Sequence, residues 1–487
     1  MVSFPSRPRS RIGVVCSAFG AFVLLCALPL PALSMVAEQA EQLDLTGHWV
    51  GYFGIALFVV AYLLVMAEEF THLRKSKPVI LAAGVMWAVV SWVYQQHGIN
   101  TAPEHALRNN LLEYAELMLF LLVAMTYINS MQELNVFEAL RSRLVRAGFS
   151  LRALFWITGT LAFLISPIAD NLTTALLMCA VVLAVGGDNP RFVGLSCVNI
   201  VVGANAGGAF SPFGDITTLM VWQKGMVDFW SFFALFLPAL VNFLVPAALM
   251  HFAVPKGTPN GSGERVYVDR GGIAIVLLFL VTIATAVSFH NFLHLPPVIG
   301  MLTGLGYLGF YAYYLKKTHD RVPARPGGHR LNAEDEIGDP VAFDVFRPVA
   351  RAEWDTLFFF YGVVACVGAL GFMGYLALTS EVMYHHWGAT NANVAVGLLS
   401  AIIDNIPVMF AVLSMEPNMS IGQWLLVTLT AGVGGSLLSI GSAAGVALMG
   451  QARGHYTFFG HLKWTWAVAL GYAASIGTHF WVNSAMF

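Results

Sequence analysis

Apolar runs of about 20 residues recur along the whole chain, and they constrain its fold more than any other feature. The runs lie at about 48–69, 79–94, 111–129, 151–186, 192–222, 229–254, 272–289, 296–315, 354–378, 391–415, 420–450 and 461–485. Backbone amides and carbonyls in lipid must pair within their own segment, so helices are the assignment that such runs allow. The sequence therefore predicts an all-α polytopic membrane protein.

The low charge content excludes most soluble classes of protein. Charged residues make up 11% of the chain, whereas a soluble domain carries about 25%. The 25 basic residues nearly balance the 27 acidic ones, and they form no cluster of the kind that binds nucleic acid. We therefore expect a lipid bilayer, and no nucleic acid, among the partners.

The first 34 residues have the pattern of a signal peptide. Three arginines among the first eleven residues precede an apolar run over 12–30, and Ala32-Leu33-Ser34 is a plausible cleavage site. An uncleaved apolar helix is the alternative interpretation. We assign 1–34 as a signal peptide or N-terminal apolar segment.

Basic residues are distributed unequally between the two sides that the apolar runs define. Nearly all of them fall in loops on one side, which the positive-inside rule assigns to the cytoplasm. The longest polar stretch, 316–352, is predicted to be a cytoplasmic linker between a first membrane half, 48–315, and a second, 353–487. This assignment requires that 151–186 and 391–415 each enter and leave the membrane on one side, as re-entrant hairpins.

Three motifs of the first half recur in the second half in the same order. The matching segments are 113–117 with 353–357, 166–173 with 400–407, and 207–215 with 434–442. Together with the charge distribution, they predict two inverted-topology repeats, the first at about 111–254. Each repeat would contain a re-entrant hairpin and a broken transmembrane helix, as in secondary transporters.

Each predicted repeat is interrupted twice by residues that suit a hard cation. In the first repeat, Pro167 is expected to open the helix and expose backbone carbonyls, and Asp215 is expected to start a half-helix after the Ser211–Gly214 break. Carboxylate, amide and hydroxyl oxygens are ligands of hard cations. The candidates in the first repeat are Asp170, Asn171, Thr173, Thr174, Asn205, Asp215, Thr217 and Thr218.

The second repeat keeps the hairpin acid but has no acid at its broken helix. Its candidates are Ser400, Asp404, Asn405, Ser439 and Ser442. The N-terminus of a half-helix attracts an anion, but two carboxylates in the first repeat reverse that sign and favour a cation or protons. Glu116 and Asp355 are candidate accessory acids. Helix capping and tight packing are the structural alternatives for the residues at the breaks, and an interfacial position is the alternative for Glu116 and Asp355.

The motifs Ser-Pro-Ile-Ala-Asp170-Asn171-Leu-Thr, Ser-Pro-Phe-Gly-Asp215-Ile-Thr-Thr218 and Ser400-Ala-Ile-Ile-Asp404-Asn405-Ile-Pro resemble those of NhaD-type sodium/proton antiporters of the ion transporter superfamily. The resemblance implies exchange of cytoplasmic Na⁺ or Li⁺ for external H⁺ in a bacterial inner membrane, with a role in pH homeostasis. It also implies a homodimer with scaffold and transport domains, Na⁺ at Asp170, Asp215 and Asp404, and no cofactor.

Two other functions remain open at this point. A Na⁺-coupled anion carrier of the dicarboxylate type, from the same superfamily, would share the layout of the chain. An intramembrane aspartyl protease would use Asp170 and Asp215 as paired acids. The sequence contains no Walker motif or nucleotide-binding glycine loop, and we predict a transporter that is not an enzyme.

Overall fold

A computed structural model of the chain describes residues 43–99, 101–186, 188–258, 265–318 and 343–487. The predicted signal segment and most of the predicted linker lie outside these residues. The described residues form helices, turns and irregular segments without a strand, and eight of their helices are long and apolar enough to cross a membrane. The prediction of an all-α polytopic membrane protein is therefore confirmed.

The first half contains eleven main helices in the described residues. They are α1 (Trp49–Met66), α2 (Ser76–Gln96), α3 (Ala102–Glu133), α4 (Val136–Arg146), α5 (Leu151–Ala169), α6 (Asn171–Gly186), α7 (Pro190–Gly208), α8 (Ile216–Gln223), α9 (Phe236–His251), α10 (Gly272–Leu293) and α11 (Pro297–Lys317). A short helix, Glu68–Thr71, follows α1, and a 3₁₀ turn, Phe229–Leu235, precedes α9.

The second half contains seven main helices in the described residues. They are α12 (Trp354–Phe372), α13 (Ala389–Leu399), α14 (Asn405–Met415), α15 (Ile421–Gly434), α16 (Ala443–Gln451), α17 (Phe458–Leu462) and α18 (Thr465–Val482). Shorter helical segments lie at Phe346–Ala350, Tyr375–Ser380, Glu381–His386 and Ser484–Met486.

Two helices, α7 and α15, form the centre of the core. Nearly every residue of both is buried, and a helix that is apolar on all sides is expected to lie inside a bundle. Helix α5 packs along α7, and α13 packs along α15. Both central helices end in small residues, and a non-helical segment follows each of them.

The same hydrogen bond ties each of these helix pairs together near the interruption. The Ser166 hydroxyl on α5 donates to the Ala204 carbonyl on α7 over 2.6 Å. The Ser400 hydroxyl, just after α13, donates to the Ala431 carbonyl on α15 over 2.8 Å. Both serines begin the matching segments 166–173 and 400–407, so the contact recurs at matching positions of the two halves.

In each helix pair, one glycine brings the two backbones into contact. A Cβ atom on Gly207 would lie 2.3 Å from the Phe163 carbonyl oxygen, and one on Gly434 would lie 2.1 Å from the Gly397 carbonyl oxygen. No side chain fits at either position without moving a backbone. The close approach explains why the sequence has glycine at both places.

The helix does not open at Pro167 as predicted. Helix α5 continues through Pro167 to Ala169, and the break falls at Asp170, whose φ is +54°. Pro167 takes away the N–H that would bond the Phe163 carbonyl, and that carbonyl instead faces Gly207 of α7. In the second half, α13 ends at Leu399 and the chain turns before α14 begins, so the two hairpins differ in shape.

The prediction for the broken helix of the first half is confirmed. After α7 ends, the chain runs without helix to Asp215, which is the N-cap of α8 and accepts from the Thr217 amide. Ser442 is the N-cap of α16 and accepts from the Gly445 amide, with φ −143° and ψ 149° against φ −148° and ψ 148° at Asp215. The carboxylate and the hydroxyl therefore occupy equivalent places.

Candidate cation site

A cavity of about 90 Å³ lies where the two hairpin breaks and the two broken helices meet. This volume is enough for a hydrated or partly hydrated small ion. Its charged lining residues are Lys75, Asp170, Asp215, Glu353 and Asp404. Acidic groups therefore outnumber basic ones in this cavity.

Asp215 is at the centre of the hydrogen bonds in the cavity. Its Oδ2 atom accepts from Asn171 Nδ2 over 3.1 Å and from Asn405 Nδ2 over 3.0 Å. Its Oδ1 atom accepts from the Thr217 amide over 3.1 Å, as the N-cap of α8. Because Asn171 and Asn405 follow the two hairpin breaks, one carboxylate joins both hairpins.

Asn205 continues this network to the second broken helix. Its Oδ1 atom accepts from Asn171 Nδ2 over 3.1 Å. Its own amide nitrogen donates to the hydroxyls of Ser436 over 2.9 Å and Ser442 over 3.0 Å. Amides, hydroxyls and one carboxylate from all four interruptions are thus brought together.

Asp170 has a different set of neighbours. Its carboxylate accepts from the Thr173 amide over 2.8 Å and from the Thr173 hydroxyl over 2.9 Å, which is the pattern of a helix cap. The Glu353 side chain lines the same cavity. The structure places Asp170 and Thr173 in the cavity wall, and no hydrogen bond joins Asp170 to Asp215 in the described residues.

Asp404 takes few hydrogen bonds on its side chain. Its Oδ1 atom is buried and has no partner among the described residues. Its backbone N–H donates to the Tyr62 hydroxyl of α1 over 3.0 Å. Lys75 and Asp215 line the same cavity as Asp404, and the Lys75 ammonium lies 4.9 Å from the centre of the Phe359 ring.

Two threonine hydroxyls among the predicted ligands also lack partners, although neither threonine lines the cavity. Thr174 Oγ1 and Thr217 Oγ1 are buried without a hydrogen bond to any described residue. A buried polar atom without a partner is unusual and calls for an explanation. A cation or water in the cavity would satisfy the Asp404 oxygen, because Asp404 lines it.

Three predicted ligands point to other partners. The Thr218 hydroxyl donates to the carbonyls of Ser211 and Asp215. The Ser400 hydroxyl is held by Ala431, as described above, and the Ser439 hydroxyl lies 3.3 Å from the Met449 sulfur. In this arrangement these three residues shape the breaks.

The two accessory acids do not line the cavity. Asp355 accepts from the Ser76 hydroxyl at the start of α2, and Glu116 lies on α3 near the Glu113–Lys224 ion pair. Neither residue is in the wall that contains the three aspartates.

Four residues of the site have no place among the sequence candidates. Glu353 and Lys75 line the cavity, Ser436 bonds Asn205, and Tyr62 bonds the Asp404 amide. Glu353 begins one of the repeated motifs, which is a signal that could have identified it. No local pattern marks the other three, because their contacts depend on tertiary packing.

The acidic groups are spread around the cavity. In the part of the chain that the structure describes, no three Asp, Glu, His or Cys side chains are grouped closely enough to hold a metal ion by themselves. Amide, hydroxyl and backbone oxygens are therefore the additional ligands that a hard cation would find here.

Comparison with known proteins gives consistent matches over nearly the whole chain. A family model described as "Citrate transporter" (CitMHS) matches residues 44–432. A protein named Na(+)/H(+) antiporter NhaD from Alkalimonas amylolytica is 60% identical over 472 residues, which cover 95% of this chain and 97% of the relative. The protein of that name from Vibrio cholerae is 58% identical over 474 residues, covering 96% and 99%. Sodium/proton antiporter 1 from Arabidopsis thaliana is 29% identical over 452 residues, covering 88% and 72%.

Proposed function

The chain belongs to the CitMHS family and, within it, to the Na⁺/H⁺ antiporters named NhaD, and on this basis we propose that it exchanges Na⁺ for H⁺ across a bacterial membrane. The proposed direction is export of cytoplasmic Na⁺ or Li⁺ against entry of external H⁺ through the inner membrane, which would serve pH homeostasis. Its relatives are named as antiporters, and the proposal requires no enzymatic step and no cofactor.

The observation that supports this function best is the position of Asp215. It is buried where Asn171 and Asn405 donate to the same carboxylate oxygen. A charged group at membrane depth is costly and is functional by default. A carboxylate that neutral amides surround is able to hold either a cation or a proton, which is what exchange requires.

The amide groups are suited to a site that fills and empties. Without a cation, the Nδ2 groups of Asn171 and Asn405 satisfy Asp215. A half-turn of either amide would present its oxygen, so both residues can become cation ligands without a backbone movement. Protonation of Asp215 would remove the charge that holds the ion, and the two substrates therefore compete for one group.

Asp170 and Asp404 are proposed as the other carboxylates that Na⁺ meets. Both line the cavity that contains Asp215, and the free Oδ1 atom of Asp404 is available as a ligand. We propose that neutral oxygens of Thr173, Thr174, Thr217 and Ser442 complete the shell. Asp355 and Glu116 remain proposals for accessory proton carriers outside the cavity.

The recurring contacts support an inverted repeat with re-entrant hairpins. Matching serine, glycine and N-cap positions make matching contacts in α5–α8 and α13–α16. We propose that these helices form a transport domain. Helices α1–α3 and α12, with Tyr62 on α1 and with Lys75 and Glu353 directly before α2 and α12, would belong to a scaffold that forms a homodimer.

The family description favours a second candidate, a Na⁺-coupled carrier of anions such as citrate. The charges in the cavity argue against it, because three aspartates and Glu353 face a single lysine. An anion would need more positive groups or free half-helix N-termini than this cavity offers. Asp215 and Ser442 already cap both half-helices.

The experiment that tests the proposal is Na⁺-induced recovery of a ΔpH-sensitive dye in everted membrane vesicles. Vesicles with the wild-type protein should dissipate the pH gradient on addition of Na⁺ or Li⁺. Vesicles with Asp215→Asn should not, whereas Asp228→Asn should behave as wild type, because Asp228 is exposed and its side chain makes no cap hydrogen bond. Sodium-dependent uptake of labelled citrate without any dye response would instead establish the anion carrier.

A further inference from the structure

The non-helical segments that precede α8 and α16 are stabilised in different ways. In the first, the Ser211 hydroxyl donates to the Pro167 carbonyl over 2.8 Å, and the Thr218 hydroxyl donates to the Ser211 carbonyl over 2.8 Å. The positions that match these in the second segment are Leu438 and Gly445. Neither has a side chain able to donate a hydrogen bond.

The second segment instead receives hydrogen bonds from the residues that follow it in the chain. His461 Nε2, on α17, lies 2.9 Å from the Ser436 carbonyl oxygen. The Thr465 hydroxyl, at the start of α18, donates to the Leu437 carbonyl over 2.8 Å. Both bonds come from outside the hairpins and the broken helices.

The partners of His461 fix the state of its ring. A carbonyl only accepts, so Nε2 carries the hydrogen, and Nδ1 then accepts from the Tyr456 hydroxyl over 2.7 Å. His461 is fully buried and Tyr456 is nearly so. A neutral imidazole with both nitrogens bonded is a rigid support for the Ser436 carbonyl.

This support lies next to the proposed ion site. The Ser436 hydroxyl accepts from Asn205, which also donates to Ser442 and accepts from Asn171. We propose that His461 is a positioning residue that holds the second break so that the oxygens of Ser436 and Ser442 stay in contact with Asn205. The inference rests on the proposed cation exchange at this site.

The proposal predicts a specific kinetic effect of removing the imidazole. His461→Ala should raise the apparent Km for Na⁺ by about tenfold, as the loss of one or two buried hydrogen bonds suggests, while the maximal rate of exchange stays within about twofold of wild type. His461→Gln places an amide N–H within reach of the same carbonyl and should recover most of the affinity. Both are measured by the dye assay over a range of Na⁺ concentrations.

His479 provides a matched control. It is equally buried, and its Nε2 atom lies 2.9 Å from the Gly422 carbonyl while Nδ1 contacts Asn483. His479→Ala should lower the thermal stability of the purified protein and leave the Km for Na⁺ unchanged. Equal stability losses in the two alanine variants, with an unchanged Km in both, would overturn the proposal.

Thr465→Val keeps the test decisive if His461→Ala does not accumulate in the membrane. This nearly isosteric change removes the hydrogen bond to Leu437 and should also raise the Km for Na⁺. An unchanged Km would show that the segment needs no external support. Absence of exchange in the wild-type protein would contradict the proposed function itself and is therefore distinguished from failure of this inference.

Discussion

The three aspartate carboxylates of the cavity have different hydrogen-bond partners. Asp215 accepts from two side-chain amides and a backbone amide, Asp170 is engaged by Thr173, and Asp404 has a free oxygen. The same residue type thus has three environments within one cavity. The effects of substitution should differ accordingly.

Asp170→Asn and Asp215→Asn are each expected to abolish exchange. Asparagine preserves the size of the side chain and one acceptor oxygen, so the helix caps at Thr173 and Thr217 remain, but the charge that binds the cation is lost. The dye assay measures the loss, and immunoblots of membranes check that the variants accumulate. Wild-type exchange across the pH range in either variant would refute its assignment.

Ser442→Ala is expected to have a milder effect than Asp404→Ala. The serine contributes a neutral oxygen that bonds Asn205 and caps α16, and its loss should raise the Km for Na⁺ by about tenfold at most. Loss of the Asp404 charge should reduce exchange far more severely. Negligible effects of both changes on Km and maximal rate would show that the second half is scaffold only.

At the scale of elements, the sequence predicted the second interruption better than the first. Asp215 followed by Ile-Thr-Thr is a local N-cap signal, and α8 begins where that signal places it. The hairpin break was misplaced because Pro167 loses only one helix bond, and the packing of Gly207 on the Phe163 carbonyl lets α5 continue. That contact joins residues 44 positions apart in the chain (207 − 163), which no local pattern reveals.

The residues of the candidate site show the same difference between local sequence signals and contacts made by tertiary packing. Residues of the interrupted motifs, such as Asn171 and Asn405, were found because carboxylate and amide side chains are rare inside apolar runs. Ser436 and Lys75 were not found, because a serine in a small-residue stretch and a lysine in a basic loop have common local explanations. Their positions beside the cavity arise from helix packing.

Close packing between helices predicts that Gly207→Ala and Gly434→Ala reduce the stability of the protein. Each new methyl group would overlap a backbone carbonyl of the neighbouring helix, and such overpacking costs about 1–3 kcal/mol. Gly306→Ala is the control, since nothing lies within 4 Å of a Cβ atom there. Thermal unfolding in detergent measures the difference, and unchanged melting of both variants would contradict the packing.

At the scale of the whole molecule, the proposed inverted repeat predicts a topology. In a variant without its natural cysteines, Asp188→Cys and Asn391→Cys should react with an impermeant thiol reagent from opposite faces of the membrane. Asp188 follows α6, Asn391 lies in the first turn of α13, and both positions are exposed. Right-side-out and everted vesicles distinguish the faces, and labelling of both cysteines from the same face would exclude the inverted arrangement.

The hydrogen bond between Tyr62 and the Asp404 amide has a consequence for the timing of transport. If the hairpins move relative to α1, this bond must break, and a half-buried N–H then has to find water or another acceptor. A hydrogen bond contributes about 0.5–1.5 kcal/mol, which changes the ratio of two conformations by roughly twofold to tenfold. Tyr62, whose hydroxyl binds a backbone amide and not the cation, would thereby help to set how long the empty carrier stays in each conformation.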